Sequence, residues 1–139
     1  MTFLRRPGFG ARTPKQRAGD AAEQAACEHL RANGCTIVAR NARYKEGELD
    51  IVARQGALLL FVEVRQRGSD RFGGAGASVD HFKRKRLLRA AQHFLLDHFG
   101  DGSAAGGRRN GGWPACRFDV VTADGNGVTE WIQDAFQVE

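Results

Sequence analysis

Nothing in the 139-residue chain constrains its fold more than the stretch from Glu48 to Arg65, where two β-prone segments meet at the turn-prone dipeptide Gln55-Gly56. The first segment runs from Glu48 to Arg54 and the second from Ala57 to Arg65. The second contains the run Leu58-Leu59-Leu60-Phe61-Val62, which argues for a central, partly buried strand. If Arg54 closes the hairpin opposite Ala57, then Leu49, Asp50 and Ile51 fall near Val62, Phe61 and Leu60, and Glu48 faces Glu63. Because side chains alternate between faces, Glu48, Asp50, Phe61, Glu63 and Arg65 project to one side. Shifting the register sum by two residues would set Asp50 opposite Glu63 without changing faces.

The flanking segments complete an α/β pattern. Thr13-Pro14-Lys15-Gln16 reads as a helix start, with Thr13 as cap, Pro14 at the first helical position and Gln16 closing a capping box. Asn33-Gly34 supplies the stop. Between them Ala18, Ala22, Ala25, Ala26 and Leu30 make an apolar stripe, and Glu23 lies within or beside it, an unusual place for a carboxylate. A strand is expected over Thr36 to Arg40, a loop over Gly68 to Ala77, and a second helix from about Ser78 to His98. That helix sets Leu87, Leu88, Ala91, Phe94 and Leu95 on its core side, while Lys83, Arg84, Lys85, Arg86 and Arg89 crowd its first half. Cations there oppose the helix dipole unless an anion sits nearby. A flexible loop over Gly100 to Gly112 precedes strands at Cys116 to Thr122 and Val128 to Ile132, joined by Asp124-Gly125-Asn126-Gly127. A crossover through the second helix is what a parallel strand pair requires. The expected fold is therefore a single α/β domain over 13–139, a central mixed sheet with flanking helices, preceded by a basic flexible arm over 1–12.

Composition narrows the partners. Twenty-one Lys and Arg against 16 Asp and Glu give a net charge of +5, so acidic partners are favoured, nucleic acid first. Arg67 and the run Lys83, Arg84, Lys85 and Arg86 are the candidate phosphate-tracking residues, binding without regard to sequence through counterion release. No base-reading code is visible, which points to recognition of shape. No segment has the length of apolar residues needed for a secretory signal or a membrane span, so no membrane partner is expected. Cys27, Cys35 and Cys116 are odd in number and widely spaced, which suggests neither a disulfide framework nor a zinc site and fits a reducing cytoplasm. His29, His81, His93 and His98 fall on helices and read as structural or surface residues, as do Trp113 and Trp131. Asp119 and Arg117 share a strand face and read as a structural pair.

The carboxylates carry the chemistry. Two of them about 4 Å apart repel by roughly 4 kcal/mol at an effective dielectric of 20, a large part of a domain's stability. A shared proton, a neighbouring arginine or a divalent cation can offset that. Mg²⁺ or Mn²⁺ held by Asp50 and Glu63 would suit phosphodiester cleavage, since such an ion activates water and screens the phosphate. A nearby cation such as Arg65 would stabilise the added charge of the transition state. Glu23, projecting towards the sheet, would complete the shell or orient a water.

Gly47-Glu48-Leu49-Asp50-Ile51 followed by Phe61-Val62-Glu63-Val64-Arg65-Gln66-Arg67 resembles the D…(D/E)xK signature of the restriction-endonuclease-like nucleases. From about Gly19 through Phe136 the chain more closely resembles the YraN family of small bacterial proteins. The residues that carry this likeness include Gly19, Glu23, Asn41, Phe72-Gly73, Lys83, Cys116 to Val121 and Asp134-Ala135-Phe136. The resemblance implies a restriction-endonuclease-like fold related to Holliday-junction resolvases and an endonuclease acting on DNA, branched DNA in repair or recombination included. Separately, a homodimer is among the arrangements to expect. By position Glu23, Asp50 and Glu63 match the acidic residues of the motif. Arg65 stands where the broader pattern has Lys. Arginine stays protonated at any working pH, so Arg65 can hold a phosphate but cannot act as a general base, and water activation would fall to the metal or to Lys83. The rival expectation is a catalytically weak or inactive nucleic-acid-binding protein on the same fold.

Overall fold

The computed structural model describes residues 12–68, 81–101 and 112–136. These form helix α1 (Pro14–Ala32), strands β1 (Thr36–Tyr44), β2 (Gly47–Gln55) and β3 (Leu58–Gln66), helix α2 (His81–Phe99), and strands β4 (Cys116–Asp124) and β5 (Gly127–Phe136). The basic arm up to residue 11, most of both expected loops and the expected first turn of α2 lie outside the described residues.

Helix α1 starts as its sequence dictates. Gln16 N–H donates to Thr13 Oγ1 at 3.1 Å, and Thr13 N–H donates to Gln16 Oε1 at 2.8 Å, so two otherwise orphaned donors are satisfied. It ends at Asn33, with Gly34 in the left-handed region at φ 88°. Its buried stripe of Ala22, Ala26, Cys27 and Leu30 packs on Ile51, Ala53, Leu60, Val62, Val121 and Ala123. Helix α2 covers the opposite face, setting Leu87, Ala90, Ala91, Phe94 and Leu95 against Leu49, Val52, Phe61, Phe118, Val120 and Phe136.

The five strands lie in chain order, antiparallel except for β3 and β4, which run parallel as the α2 crossover demands. Strand β3 sends Leu60 and Val62 to the α1 side and Phe61 to the α2 side, so its apolar run is covered on both faces. β1 continues past the expected end at Arg40 to Tyr44, and β5 runs to Phe136, four residues beyond expectation.

Two details at the β2–β3 hairpin differ from what the sequence pattern predicts. Gln55 pairs with Leu58, so the turn is Gly56-Ala57, with Gly56 at φ 60°, rather than Gln55-Gly56. The positive φ is the reason: Gly adopts it without strain as the first turn residue, as a type II′ turn needs. The register thus shifts by two, Ile51 facing Val62 and Val52 facing Phe61, and its continuation aligns Asp50 with Glu63 rather than with Phe61. The second difference is a break in alternation. Leu49 joins the α2-side core, Ile51 the α1-side core and Val52 the α2-side core again. The recorded β2–β3 pairing stops at Ile51 and Val62, while β2 goes on pairing with β1 down to Gly47. Asp50 sits where the two strands part. Across from it on β1, Asn41 has φ 52°, a conformation that Asn tolerates better than most residues.

The parted end of β2 is held close to α2. A Cβ on Gly47 would stand 2.7 Å from the Arg86 carbonyl oxygen and 3.2 Å from its carbon, both backbone atoms that cannot swing away. Gly47→Ala should therefore lower stability by roughly 1–3 kcal/mol, the usual penalty of overpacking. Urea denaturation would read this as a lower midpoint with an unchanged slope.

Candidate functional site

The junction at Asp50 opens into a cavity on each face of the sheet. On the α1 side, about 260 Å³ is bounded by Gly19, Glu23, Asn41, Glu48, Asp50, Val64 and Gln66, among others. On the α2 side, about 510 Å³ is bounded by Glu48, Asp50, Glu63, Phe82, Lys83, Arg86 and Leu87. Asp50 and Glu48 belong to both. A separate cavity of about 750 Å³ lies at the hairpin-turn end, where Arg54, Leu59, Phe99 and Trp113 are among its lining residues and no carboxylate is. Volume alone would point there, but the titratable groups do not.

Glu63 is 7% exposed, at the end of the apolar run of β3. Lys83 Nζ reaches Glu63 Oε2 at 2.5 Å. This contact follows from helical spacing: Lys83 precedes Leu87 by four residues and so lies on the core side of α2, one turn from a buried leucine. Asp50 is half-buried, and Val64 N–H donates to its Oδ2 at 2.9 Å, replacing a strand-to-strand bond that the parted ladder no longer makes. Burial pushes the Asp50 carboxyl up to about 8, with further upward push from the charge of Glu63, from a carboxyl–carboxyl hydrogen bond to it and from Glu48, against the downward pull of the Val64 N–H.

Glu23 lines the α1-side cavity together with Asp50 but is already engaged. Its Oε1 accepts from Arg40 Nη2 at 3.0 Å, Arg40 Nε at 3.2 Å and Asn41 Nδ2 at 3.0 Å. Among the described residues no group of three or more His, Cys, Asp or Glu side chains gathers closely enough to hold a metal ion. The oxygen donors brought together are therefore the pair Asp50 and Glu63, a set that suits a hard cation completing its shell with water. Arg65 follows Glu63 by two residues, is half-buried and lines neither of the two cavities.

The cationic run on α2 fans out rather than forming one surface. Lys83 turns inward, Arg84 lies 5.6 Å from the centre of the Phe136 ring, Lys85 is exposed, and Arg86 Nε donates to the Glu46 carbonyl at 3.2 Å. Arg67 is exposed, 3.8 Å from Asp124. The sequence reading gave no site role to Arg40, to Phe82, which borders the α2-side cavity, or to Asn41, which entered only through the family resemblance; Arg40 and Asn41 hold Glu23. Phe82 was legible as an aromatic residue off the apolar stripe of its helix. Arg40 and Asn41 gave no such signal, because their contact with Glu23 spans 17 and 18 residues.

The other expectations of structural roles hold. Asp119 is fully buried and accepts from Arg117 at 2.8 and 2.9 Å, from Trp131 Nε1 at 2.9 Å and from the Asp134 N–H at 3.0 Å. His29 meets Trp131 edge-on, His93 stacks on Tyr44, and Trp113 donates to the Gly100 carbonyl. All three cysteines are free, and none of the described helices is long and apolar enough to cross a membrane.

The mixed five-stranded sheet with a helix on each face, and a carboxylate pair where two strands part, define an α/β protein of the restriction-endonuclease-like class. The chain belongs to the family described as "Uncharacterised protein family UPF0102", whose profile matches residues 22–123, and this bears out the resemblance to the YraN family. It is 47% identical over 125 residues to a UPF0102 protein of Ralstonia nicotianae, covering 87% of each chain. A UPF0102 protein of Xanthomonas campestris pv. campestris is 45% identical over 131 residues, covering 90% of this chain and 95% of the relative. One from Dechloromonas aromatica is 44% identical over 123 residues, covering 87% and 89%.

The raised Asp50 carboxyl makes stability depend on pH. Because the folded chain holds this proton more tightly than the unfolded one, the contribution of Asp50 to stability falls as pH rises from about 4 towards about 8. Asp50→Asn removes that penalty and should raise the thermal midpoint at pH 8 by roughly 3–8 °C, with little gain at pH 4. Calorimetry at both pH values checks this, and an equal gain at each would exclude titration as the cause.

Proposed function

We propose that this protein is a metal-dependent endonuclease that hydrolyses phosphodiester bonds in DNA, with Asp50 and Glu63 as ligands of Mg²⁺ or Mn²⁺. The observation that carries the reading is the juxtaposed carboxylates Asp50 and Glu63, the former raised to about 8, in a cavity edged by Lys83 and Arg86. Such strain between like charges is characteristic of sites built for catalysis or for a cation. When bound, the metal supplies an activated water and screens the phosphate charge.

The chain's own groups divide the remaining work. Asp50 and Glu63 hold the cation and must be deprotonated to do so. Lys83, already within reach of Glu63, and Arg86 lie on the side from which a polyanion would approach, and their charges draw a phosphate towards the carboxylates. Arg65 contributes positive charge from β3 and no base function. Glu23, fixed by Arg40 and Asn41, edges the cavity on the other face and orients water near Asp50. With no base-reading code in the sequence, the substrate is selected by shape, and branched DNA of repair or recombination fits that selection.

Purified protein incubated with linear and branched DNA should cleave with Mg²⁺ or Mn²⁺ and not in chelator. Asp50→Asn and Glu63→Gln should each reduce the rate by at least the roughly 10- to 100-fold typical of changes beside metal ligands. Activity unchanged in both variants would end the hydrolytic reading. Since the Asp50 proton competes with the cation, Mg²⁺ affinity by calorimetric titration should rise by up to about tenfold per pH unit and level off above about 8. A flat profile would show that Asp50 is no ligand.

One observation favours a second reading. The Lys83 ion pair neutralises Glu63 without a metal ion, as a non-catalytic nucleic-acid-binding protein on this fold would need. That protein would bind DNA in a salt-sensitive manner, would cleave nothing, and would keep its affinity in both carboxylate variants.

A further inference from the structure

The residue of the α2-side cavity that no role above absorbs is Phe82. Phe82 is 78% exposed, more than Val38 and Leu96, the other exposed large hydrophobics among the described residues. Single exposed apolar side chains are ordinary on protein surfaces and by themselves mean little. The position of this one is what matters. It lies on the far side of α2 from the core stripe, so packing does not explain it, yet it borders the same cavity as Asp50 and Glu63. Helical spacing puts Phe82 and Arg86 one turn apart on the outer row of α2, with Lys83 and Leu87 on the inner row. Its only recorded ring neighbour is His81, edge-on at 6.1 Å, which leaves the ring faces uncovered by another aromatic among the described residues.

An exposed aromatic face beside two cations is the pairing that single-stranded nucleic acid meets on proteins, bases stacking on the ring while the backbone follows the charge. Among the described residues the start of α2 contains no acidic residue, so its cations work against the helix dipole and an arriving phosphate relieves that conflict. In a continuous duplex the base faces are occupied by their neighbours. A stacking platform beside the carboxylates therefore favours an unpaired nucleotide.

We propose that Phe82 is a base-stacking residue of this site and that the preferred ligand is DNA with unpaired nucleotides, at a single strand or a branch point, next to the phosphate held by Lys83 and Arg86. The inference rests on the reading of the cavity as a nucleic-acid site and adds to it the class of strand that is bound.

The test reads binding in chelator, where cleavage plays no part. Fluorescence anisotropy is followed with labelled oligothymidylate and with a duplex of equal length. The wild-type chain should bind the single strand more tightly. Phe82→Ala should weaken that binding by about tenfold, as loss of one base stack implies, and leave duplex binding nearly unchanged. Phe82→Trp should restore it and show indole quenching when the oligonucleotide is added. The high exposure of the side chain means that unchanged thermal melting of Phe82→Ala is expected alongside. Equal losses for both oligonucleotides, no loss for either, or no binding of either by the wild-type chain would overturn the proposal. Cleavage is scored separately with Mg²⁺. Stacking intact without hydrolysis defeats the endonuclease reading alone, and hydrolysis intact without stacking defeats this one alone.

Discussion

Two carboxylates meet where β2 and β3 part, and most of the surrounding structure can be read as accommodation of that encounter. Like charges about 4 Å apart at an intermediate dielectric cost roughly 4 kcal/mol, against a total stability of about 5–15 kcal/mol for a domain. The proton retained by Asp50 to about pH 8, the Val64 N–H and the ammonium of Lys83 each lower that cost. Neighbouring acids are drawn off by other cations, Glu23 by Arg40 and Glu48 by Arg43 at 3.0 Å each. Gly47 contributes by having no side chain: α2 comes close enough for Lys83 to reach β3 only because nothing stands between Gly47 and the Arg86 backbone.

The parting of the strands is what makes the pair accessible. Had the β2–β3 ladder continued, Asp50 would lie in a closed sheet beneath α2. Instead its side chain accepts the Val64 N–H and forms part of the wall of cavities on both faces. Local backbone irregularity thus becomes an opening, at the cost of a positive φ at Asn41 across the β1 pairing. Asn41 answers that cost in part by donating to Glu23, so the residue that suits the bend also secures the third acid.

How much of this was legible in the sequence follows from the range of each interaction. Local signals carried far: the Thr13–Gln16 box, the Asn33-Gly34 stop, the Leu58–Val62 run and the crossover through α2 all rest on residues a few positions apart, and the fold follows from them. The hairpin register did not, because two turn placements satisfy the same alternation, and only the positive φ of Gly56 selects the one that aligns Asp50 with Glu63. Alternation also placed Leu49 and Ile51 on one face, whereas the bend at Asp50 separates them. The cationic run on α2 read as one surface, since composition does not distinguish a lysine on the core side of a helix from arginines around it. The partners of Glu23 lay beyond any local pattern.

A comparison within the same sheet separates the two kinds of buried acid. Asp119 is fully enclosed, but four donated hydrogen bonds from Arg117, Trp131 and the Asp134 backbone meet its two oxygens. That carboxylate is compensated in the way a structural one must be, and adding a cation would gain nothing there. Asp50 accepts from the Val64 N–H, and its other neighbours among the described residues include the acids Glu63 and Glu48. Both acids come from strands of the same sheet, so burial or strand membership cannot tell them apart. What differs is the balance of donors against like charge: among the described residues Asp119 is met by donors on both oxygens, while Asp50 stands beside two acids.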